Sequence, residues 1–443
     1  MKRTVILLTL FLAATAATQA RTNQISLISQ PESLTVREGS FVFTGSTRVN
    51  VRDQSLDKAA SLFTSFISDN YELDIRTGGG KTQVRLLHDS GMGDEEYSLS
   101  VTASGITVKG GEAGVFYGLQ TLQQLVRYEG TRVTAPCVEI NDRPRFAHRG
   151  FMLDCGRYFF PVEYIKGFID LMSRYKYNRF HWHLTEDGGG RIEIKKYPEL
   201  TRVGAWRNST QKSRDVKDQD RIPHGGFYTQ EQIRDIVRYA ADRHITVMPE
   251  IDLPGHTMAV LAAYPGLSCT GGPFKVPVEW GIKEDVLCAG NESVYAFVED
   301  VLAEVIDLFP GQYIHIGGDE APKKRWQACP KCQAKIKAEG LSDEHGLQSY
   351  FVRRVEKYVN SRGRRIVGWD EIRQGGLSPT ATVMGWSGVD AGREAARMGN
   401  DVIMSTKWYA YFDYTQGADP AIEPNDFPRL LPLENAYAFD PAV

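Results

Sequence analysis

Tyr313-Ile314-His315-Ile316-Gly317-Gly318-Asp319-Glu320 is a short apolar run that empties into a glycine pair and then into two adjacent acids. A run of this kind suits a strand buried on both faces, and the glycines mark where the chain leaves the core. Two carboxylates delivered to one cleft form an acid/base device. For an isolated Asp-Glu pair the ordinary alternative is a strand end with solvated acids. The rest of the chain decides between the two.

Outward from this stretch, the pattern of strand, loop and helix repeats in both directions. Phe151-Met152-Leu153 precedes a helix expected over 162–175, with Ile165, Phe168, Leu171, Met172 and Tyr175 at helical spacing. The next strand is Arg179 to Leu184, and a further helix opens at Thr229 with Gln232 three residues on, a capping-box pattern. Thr246 to Ile251 reads as a strand, and a helix over about 292–309 leads into Tyr313. Then come a helix over 347–360 and strands over 365–369, 381–386 and 401–405. Strands alternating with helices predict a parallel (β/α)8 barrel of the TIM type, with seven strand candidates and the last strand missing from the count.

In such a barrel every strand C-terminus opens on one rim, so residues far apart in sequence meet in one pocket. Asp154 and Arg157, Glu186 and Asp187, Asp252 and His256, Asp319 and Glu320, Trp369 and Asp370, Trp386, and Tyr411 and Asp413 all fall just after predicted strands. For any one of them, a structural hydrogen-bonding role at the rim is as good a reading as a functional one. The convergence of all of them is what points to a site.

Before the barrel, residues 24 to 140 read as strands broken by polar turns, among them Ser98 to Thr102 and Gly105 to Lys109. A helix from about Ala113 to Arg127 follows, with Val115, Leu119, Leu122 and Leu125 near one face. Asn141-Asp142-Arg143-Pro144 is a natural boundary. The expected division is a leader over 1–20, a small α+β domain over 21–142 and the barrel over 143–443. Met1-Lys2-Arg3 and the apolar run Val5 to Ala17 have the basic and hydrophobic regions of a secretory signal, and the run is too short to span a bilayer. A periplasmic or extracellular protein is the expectation.

Composition excludes some functions. Lys and Arg number 52 against 55 Asp and Glu, a net charge of -3, which offers no basic field for nucleic acid. Aromatic residues are 11% of the chain and suit the faces of sugars. Among six Cys, Cys269 and Cys288 flank one long loop and make the expected disulfide. Cys329-Pro330-Lys331-Cys332 has the form of half a zinc site, but Cys137 and Cys155 lie in separate segments and supply no second pair, so a local disulfide or two free thiols is expected.

His181-Trp182-His183 places two imidazoles on one face of a strand, within reach of a shared ion. The other rim histidines, His256 and His315, lack the carboxylate arrangement of such a site, so buried hydrogen-bonded histidines are expected instead. No Ser or Cys stands in a nucleophile elbow, and Gly188-Gly189-Gly190 does not open a helix as a phosphate loop would. Neither a metal nor a cofactor is expected.

His315-Ile-Gly-Gly-Asp-Glu320, Arg149-Gly-Phe-Met-Leu-Asp154, His181-Trp-His-Leu184, Arg191-Ile-Glu-Ile-Lys-Lys-Tyr-Pro198 and Pro249-Glu-Ile-Asp-Leu-Pro-Gly-His256 resemble the motif series of family 20 glycoside hydrolases, the β-N-acetylhexosaminidases. Gly114-Val-Phe-Tyr-Gly-Leu-Gln-Thr-Leu122 resembles the non-catalytic domain that precedes the barrel in that family. The resemblance implies removal of terminal GlcNAc or GalNAc from glycans with retention, the substrate's 2-acetamido carbonyl acting as nucleophile. It implies Glu320 as general acid/base and Asp319 as the anion that orients the acetamido group, with His256, Glu186 and, one position on, Asp187 in support. Arg149 matches the arginine that grips sugar hydroxyls, Trp369 and Trp386 the acetamido pocket walls, and Tyr411 the tyrosine donating to the acetamido oxygen, with Asp413 its neighbour. For each Trp, core packing is the alternative.

Two departures from the family pattern carry expectations. Gly188-Gly189-Gly190 stands where the family has Gln-Gly-Trp, which predicts lost packing and added backbone freedom beside Glu186. The chain ends at Val443, where the family continues into an eighth strand bearing a Trp and a Glu that close the sugar pocket. A fragment or an open barrel is implied, and an impaired enzyme or carbohydrate-binding protein of the same fold is the rival reading.

Overall fold

The computed structural model describes residues 25–80, 83–213, 215–417, 419, 421–423 and 427–442, so the expected leader over 1–20 lies outside the described residues. The chain forms two compact units. The first comprises residues up to Arg149 with Asp170–Asn178 and Ala241–Ile245, and the second comprises Gly150–Ile169, Arg179–Ala240 and the rest of the chain from Thr246.

The first unit is built on an eight-stranded sheet. Its centre is a hairpin of Tyr97–Thr102 with Gly105–Gly110, whose antiparallel register runs from Tyr97 opposite Gly110 to Thr102 opposite Gly105. Tyr97, Leu99 and Val101 alternate inward with half-buried Ser98 and Ser100, the period of a sheet covered on one face. Glu112–Leu125 is the expected helix, and it ends at Leu125 because Val126 turns to an extended conformation.

The second unit holds seven parallel strands: Gly150–Asp154 (β1), Arg179–His183 (β2), Thr246–Glu250 (β3), Tyr313–His315 (β4), Arg365–Trp369 (β5), Thr382–Gly385 (β6) and Val402–Met404 (β7). Each pairs with its sequence neighbours, in the order of an incomplete TIM barrel. Among the described residues these seven are the whole parallel sheet. Beyond β7, the Phe412 ring stacks on Phe151 of β1 with centroids 5.8 Å apart. The connecting helices include Val162–Arg174 (α1), Gln230–Ala241 (α2), Glu292–Leu308 (α3) and Glu344–Ser361 (α4). The capping box at the start of α2 is reciprocal: Thr229 N donates to Gln232 Oε1 at 2.9 Å and Gln232 N to Thr229 Oγ1 at 3.2 Å.

The register of the parallel strands sets one layer of side chains at the same height. Asp154 lies opposite His183, His183 opposite Glu250, and Glu250 opposite His315. Residues just past this layer are thereby delivered to the rim.

The cysteines correct the expected pairing. All six are free thiols, and Cys269 and Cys288 form no disulfide. The partners of Cys329 and Cys332 are Cys269 and Cys288, not Cys137 or Cys155, because the loops carrying them fold together. Among the described residues, no helix is long and apolar enough to cross a membrane.

Candidate active site

The floor of the site is a carboxylate enclosed by three imidazoles and an indole. His181 Nε2 and His183 Nδ1 lie 2.7 and 2.6 Å from Glu250 Oε2, while His315 Nδ1 and Trp369 Nε1 lie 3.0 and 2.9 Å from Oε1. Burial alone would raise the Glu250 carboxyl, but His183, His315 and His181 hold it well below the usual range. Burial pushes His181 down to about 4. The paired histidines thus belong to a buried hydrogen-bonded network, and Trp369, only 6% exposed, is built into it beside Met248, Val367 and Met384.

Above this floor, β4 turns through Gly317 and Gly318 at φ +66° and +99°. A side chain at Gly317 would lie 1.7 Å from Asp252 Oδ1, so only glycine lets the turn pass over that carboxylate. Gly318 N donates to Asp252 Oδ1 at 3.3 Å, and Gln348 Nε2 donates to the Gly318 carbonyl at 2.7 Å. The turn delivers Asp319 and Glu320 to the rim, with Glu320 itself in the left-handed region at φ +43°. A non-glycine residue held there stores strain that the surrounding contacts must overcome, a feature concentrated at functional sites.

His256, also left-handed at φ +50°, links the acids. Its Nδ1 lies 2.8 Å from Glu186 Oε1 and 3.2 Å from Asp187 Oδ2; its Nε2 lies 3.5 Å from Glu320 Oε2 and 3.6 Å from Asp319 Oδ2. Burial disfavours a cation here, yet Glu186 and Asp187 push His256 far above the ordinary histidine value. Burial likewise opposes ionisation of Glu186, but Arg157 and His256 hold it well below the carboxylate range. Asp187 also anchors the loop after His256, because its Oδ1 accepts from the Met258 amide at 2.9 Å. Asp319 is pushed up to about 6 by burial, against the pull of His256. Its Oδ1 is buried and has no hydrogen-bond partner among the described residues.

Other expected residues divide. Trp386 donates through Nε1 to Glu371 Oε2 at 2.8 Å and stacks on Tyr411 with centroids 6.2 Å apart. Tyr411 is close enough to Asp319 for burial and that charge to raise its hydroxyl far above the ordinary value. Asp413 is exposed, beyond Tyr411 in the same loop, and its charge also acts on that hydroxyl.

Arg149 corrects the expectation for the sugar-gripping arginine. It precedes β1, at the N-terminal end of that strand, and its Nη2 and Nη1 donate to Glu95 at 2.8 and 3.0 Å within the first unit. The arginine at the C-terminal end is Arg157, whose Nη1 donates to Asp154 at 2.6 Å and whose Nη2 lies 3.4 Å from Glu186.

The glycine run is also not the loose segment expected. Thr185–Glu186 pairs with Gly189–Gly190 as a tight antiparallel ribbon. A side chain at Gly189 would lie 2.2 Å from the Arg191 guanidinium, which fills that space and donates to the carbonyls of Cys155, Ala205 and Gly156 at 3.0, 2.6 and 2.9 Å. Absent a Gln and a Trp, buried Arg191 supplies the packing.

Glu371 is a site residue that the sequence reading left unassigned. It follows β5 in a single 3-10 turn and is pushed up to about 8, chiefly by burial and then by the charges of Asp319 and Asp370. With Glu320, Lys323 and Gln348 it lines a cleft of about 330 Å³. Its position directly after a predicted strand was the available signal.

The profile of glycosyl hydrolase family 20, catalytic domain, matches residues 146–443, and that of family 20, domain 2, matches residues 24–143. A beta-hexosaminidase of Porphyromonas gingivalis is 46% identical over 432 residues, covering 94% of this chain and 54% of that protein, so the chain spans about half the length of that relative. A beta-hexosaminidase of Vibrio furnissii is 36% identical over 96% of this chain and 70% of its own length. The crystal structure of a GH20 exo beta-N-acetylglucosaminidase from Vibrio harveyi, in complex with N-acetylglucosamine, superposes with a TM-score of 0.85 at 33% identity, covering 95% of this chain and 66% of that one. Family profiles matched nearly end to end, relatives of this identity and a rim that gathers an Asp-Glu pair around one histidine lead to one conclusion: the chain belongs to glycosyl hydrolase family 20, a family of glycoside hydrolases.

Proposed function

We propose that the protein is an exo-acting β-N-acetylhexosaminidase that hydrolyses terminal, non-reducing, β-linked GlcNAc or GalNAc residues by a substrate-assisted retaining mechanism. The observation that carries this reading is the adjacency of Glu320 to an Asp319 carboxylate oxygen that is buried and unpartnered among the described residues. Such an oxygen suits an N–H donor brought by the substrate, and the acetamido group has one.

In the first step the acetamido carbonyl oxygen bonds to the anomeric carbon as the glycosidic C–O bond breaks, and Glu320 gives its proton to the leaving oxygen. Positive charge spreads over the oxazolinium ring, and anionic Asp319, accepting the acetamido N–H, stabilises it. In the second step Glu320, now a carboxylate, takes a proton from water as the water oxygen bonds to the anomeric carbon and the ring reopens. Two inversions give retention.

His256, charged between Glu186 and Asp187, stands behind both acids of the pair and favours the anionic form of Asp319. Arg157 is the arginine positioned for sugar hydroxyls, with Trp386, Tyr411 and Trp369 on the acetamido side. The leader-like composition of residues 1–20 supports export to the periplasm or cell exterior. The test follows by NMR the hydrolysis of an aryl β-GlcNAc glycoside: the β-anomer of the free sugar accumulates first and then mutarotates. First appearance of the α-anomer would rule the mechanism out.

A further inference from the structure

Four cysteines carried by three separate segments meet at one point in the second unit. Cys269 follows the single turn Pro265–Leu267, Cys288 lies just before α3, and Cys329 and Cys332 bracket the first turn of the helix Pro330–Ala338. Cys332 Sγ lies 3.8 Å from Cys269 Sγ and 3.7 Å from Cys288 Sγ, and Cys288 Sγ lies 3.7 Å from Cys329 Sγ. All four sulfurs are within 4.8 Å of one another.

These spacings discriminate between chemistries. A disulfide requires about 2.05 Å between sulfurs, and these thiols are free. Four thiolates around a single ion at a Zn–S distance of about 2.3 Å stand about 3.8 Å apart along the edges of a tetrahedron. An iron–sulfur cluster spreads its thiolates over several irons, which sets sulfurs on different irons much farther apart.

The surroundings are built for such a centre. Cys288, Cys329 and Cys332 are at most 5% exposed, and Cys269 is half-buried. A side chain at Gly290 would lie 2.3 Å from Cys332 N, so glycine there permits the close approach of two backbones. The Trp326 indole, fully buried, donates to the Leu287 carbonyl at 2.9 Å and ties the same segments together.

We propose that Cys269, Cys288, Cys329 and Cys332 hold one structural zinc ion. On binding, four S–H bonds ionise, four protons pass to solvent, and no electron is transferred. All four positions are taken by protein, so the ion has no open site for catalysis. It fastens the connection that runs from Glu320 through the helix Lys324–Ala328 to the 269–288 loop, whose Ile282 lines the cleft with Glu320. The ion thereby braces one wall of the candidate active site.

The test reads metal directly, independently of hydrolysis. The full chain, purified without chelators, is expected to carry one zinc per chain by elemental mass spectrometry, and a mercurial that captures thiols is expected to release it. Cys288→Ser and Cys332→Ser are expected to lose the zinc and to melt at lower temperature than the parent. Because those variants can fail to fold, the parent chain is also loaded with cobalt(II), which is expected to give the visible bands of a tetrahedral tetrathiolate. A metal-free chain lighter by four hydrogens, the mass of two disulfides, would overturn the proposal. So would four reactive thiols that take up no zinc, or iron in place of zinc.

Discussion

His256 and Glu186 form a buried ion pair, Nδ1 to Oε1 at 2.8 Å, and the opposite ring nitrogen of His256 lies 3.5 Å from Glu320 Oε2. The imidazole is thus a relay of charge between a permanently ionised acid and the acid that must exchange a proton. Because Glu186 keeps His256 cationic, the positive charge at Nε2 persists through neutral pH. Glu186→Gln is expected to weaken that charge and to shift the pH profile of kcat/KM rather than abolish turnover. A profile identical to the parent's would show that the pair is structural only.

Glu320→Gln keeps the shape of the side chain and removes its proton. General acid catalysis contributes about 10²–10⁴-fold, so kcat/KM on a natural disaccharide should fall by about that factor. Aryl glycosides with good leaving groups should suffer less in the first step. Equal losses on both substrates would contradict the role.

Asp319→Asn replaces the anion that faces the acetamido N–H. Loss of one oriented electrostatic partner costs about 10²–10³ in kcat. Burial pushes Asp319 up to about 6, so protonation of the parent below that pH should lower kcat/KM on the acid side. In the Asn variant that acid limb should vanish. Near-parental activity in the variant would remove Asp319 from the mechanism.

Glu250 and His181 make stability fall with acid. Glu250 is depressed, so its contribution is present above the unfolded value of about 4.3 and is lost as pH falls through the folded value. His181, pushed down to about 4, binds a proton in the unfolded chain and not in the folded one between about 6.5 and 4, which acts in the same direction. Urea midpoints should therefore drop across that window. Glu250→Leu at pH 7 strands three imidazoles and an indole N–H and should cost about 3–5 kcal/mol. A midpoint unchanged by that substitution would refute the network.

Gly189→Ala would place a methyl group 2.2 Å from the buried Arg191 guanidinium. Overpacking of this kind costs about 1–3 kcal/mol and, since Gly189 pairs with Glu186, should also lower kcat. Both are read from urea unfolding and initial rates. Full stability and rate in this variant would restore the loose-loop reading.

What the sequence made legible is what repeats locally. The period of the helices, the capping box at Thr229 and the buried apolar strands each depend on neighbouring residues, so the barrel could be read strand by strand. Arg149 was misplaced although the same logic excludes it: a residue before a parallel strand belongs to the opposite rim from one after it, and Arg157 occupies the right end. Asp252 and Glu371 were visible as acids after strands, but their assignment depends on which side chain the turn at Gly317 covers and where Trp386 donates. The cysteine cluster and the Arg191 filling of the glycine ribbon depend on loops that meet only in three dimensions, and no spacing in the chain reveals them.

The most direct test of the central claim compares two substrates on the purified chain, an aryl β-GlcNAc glycoside and the matching β-glucoside, which differ only in the 2-acetamido group. Substrate assistance predicts rapid release of the phenol from the first and none detectable from the second. Equal hydrolysis of both, or no turnover of either by a folded chain, would contradict it.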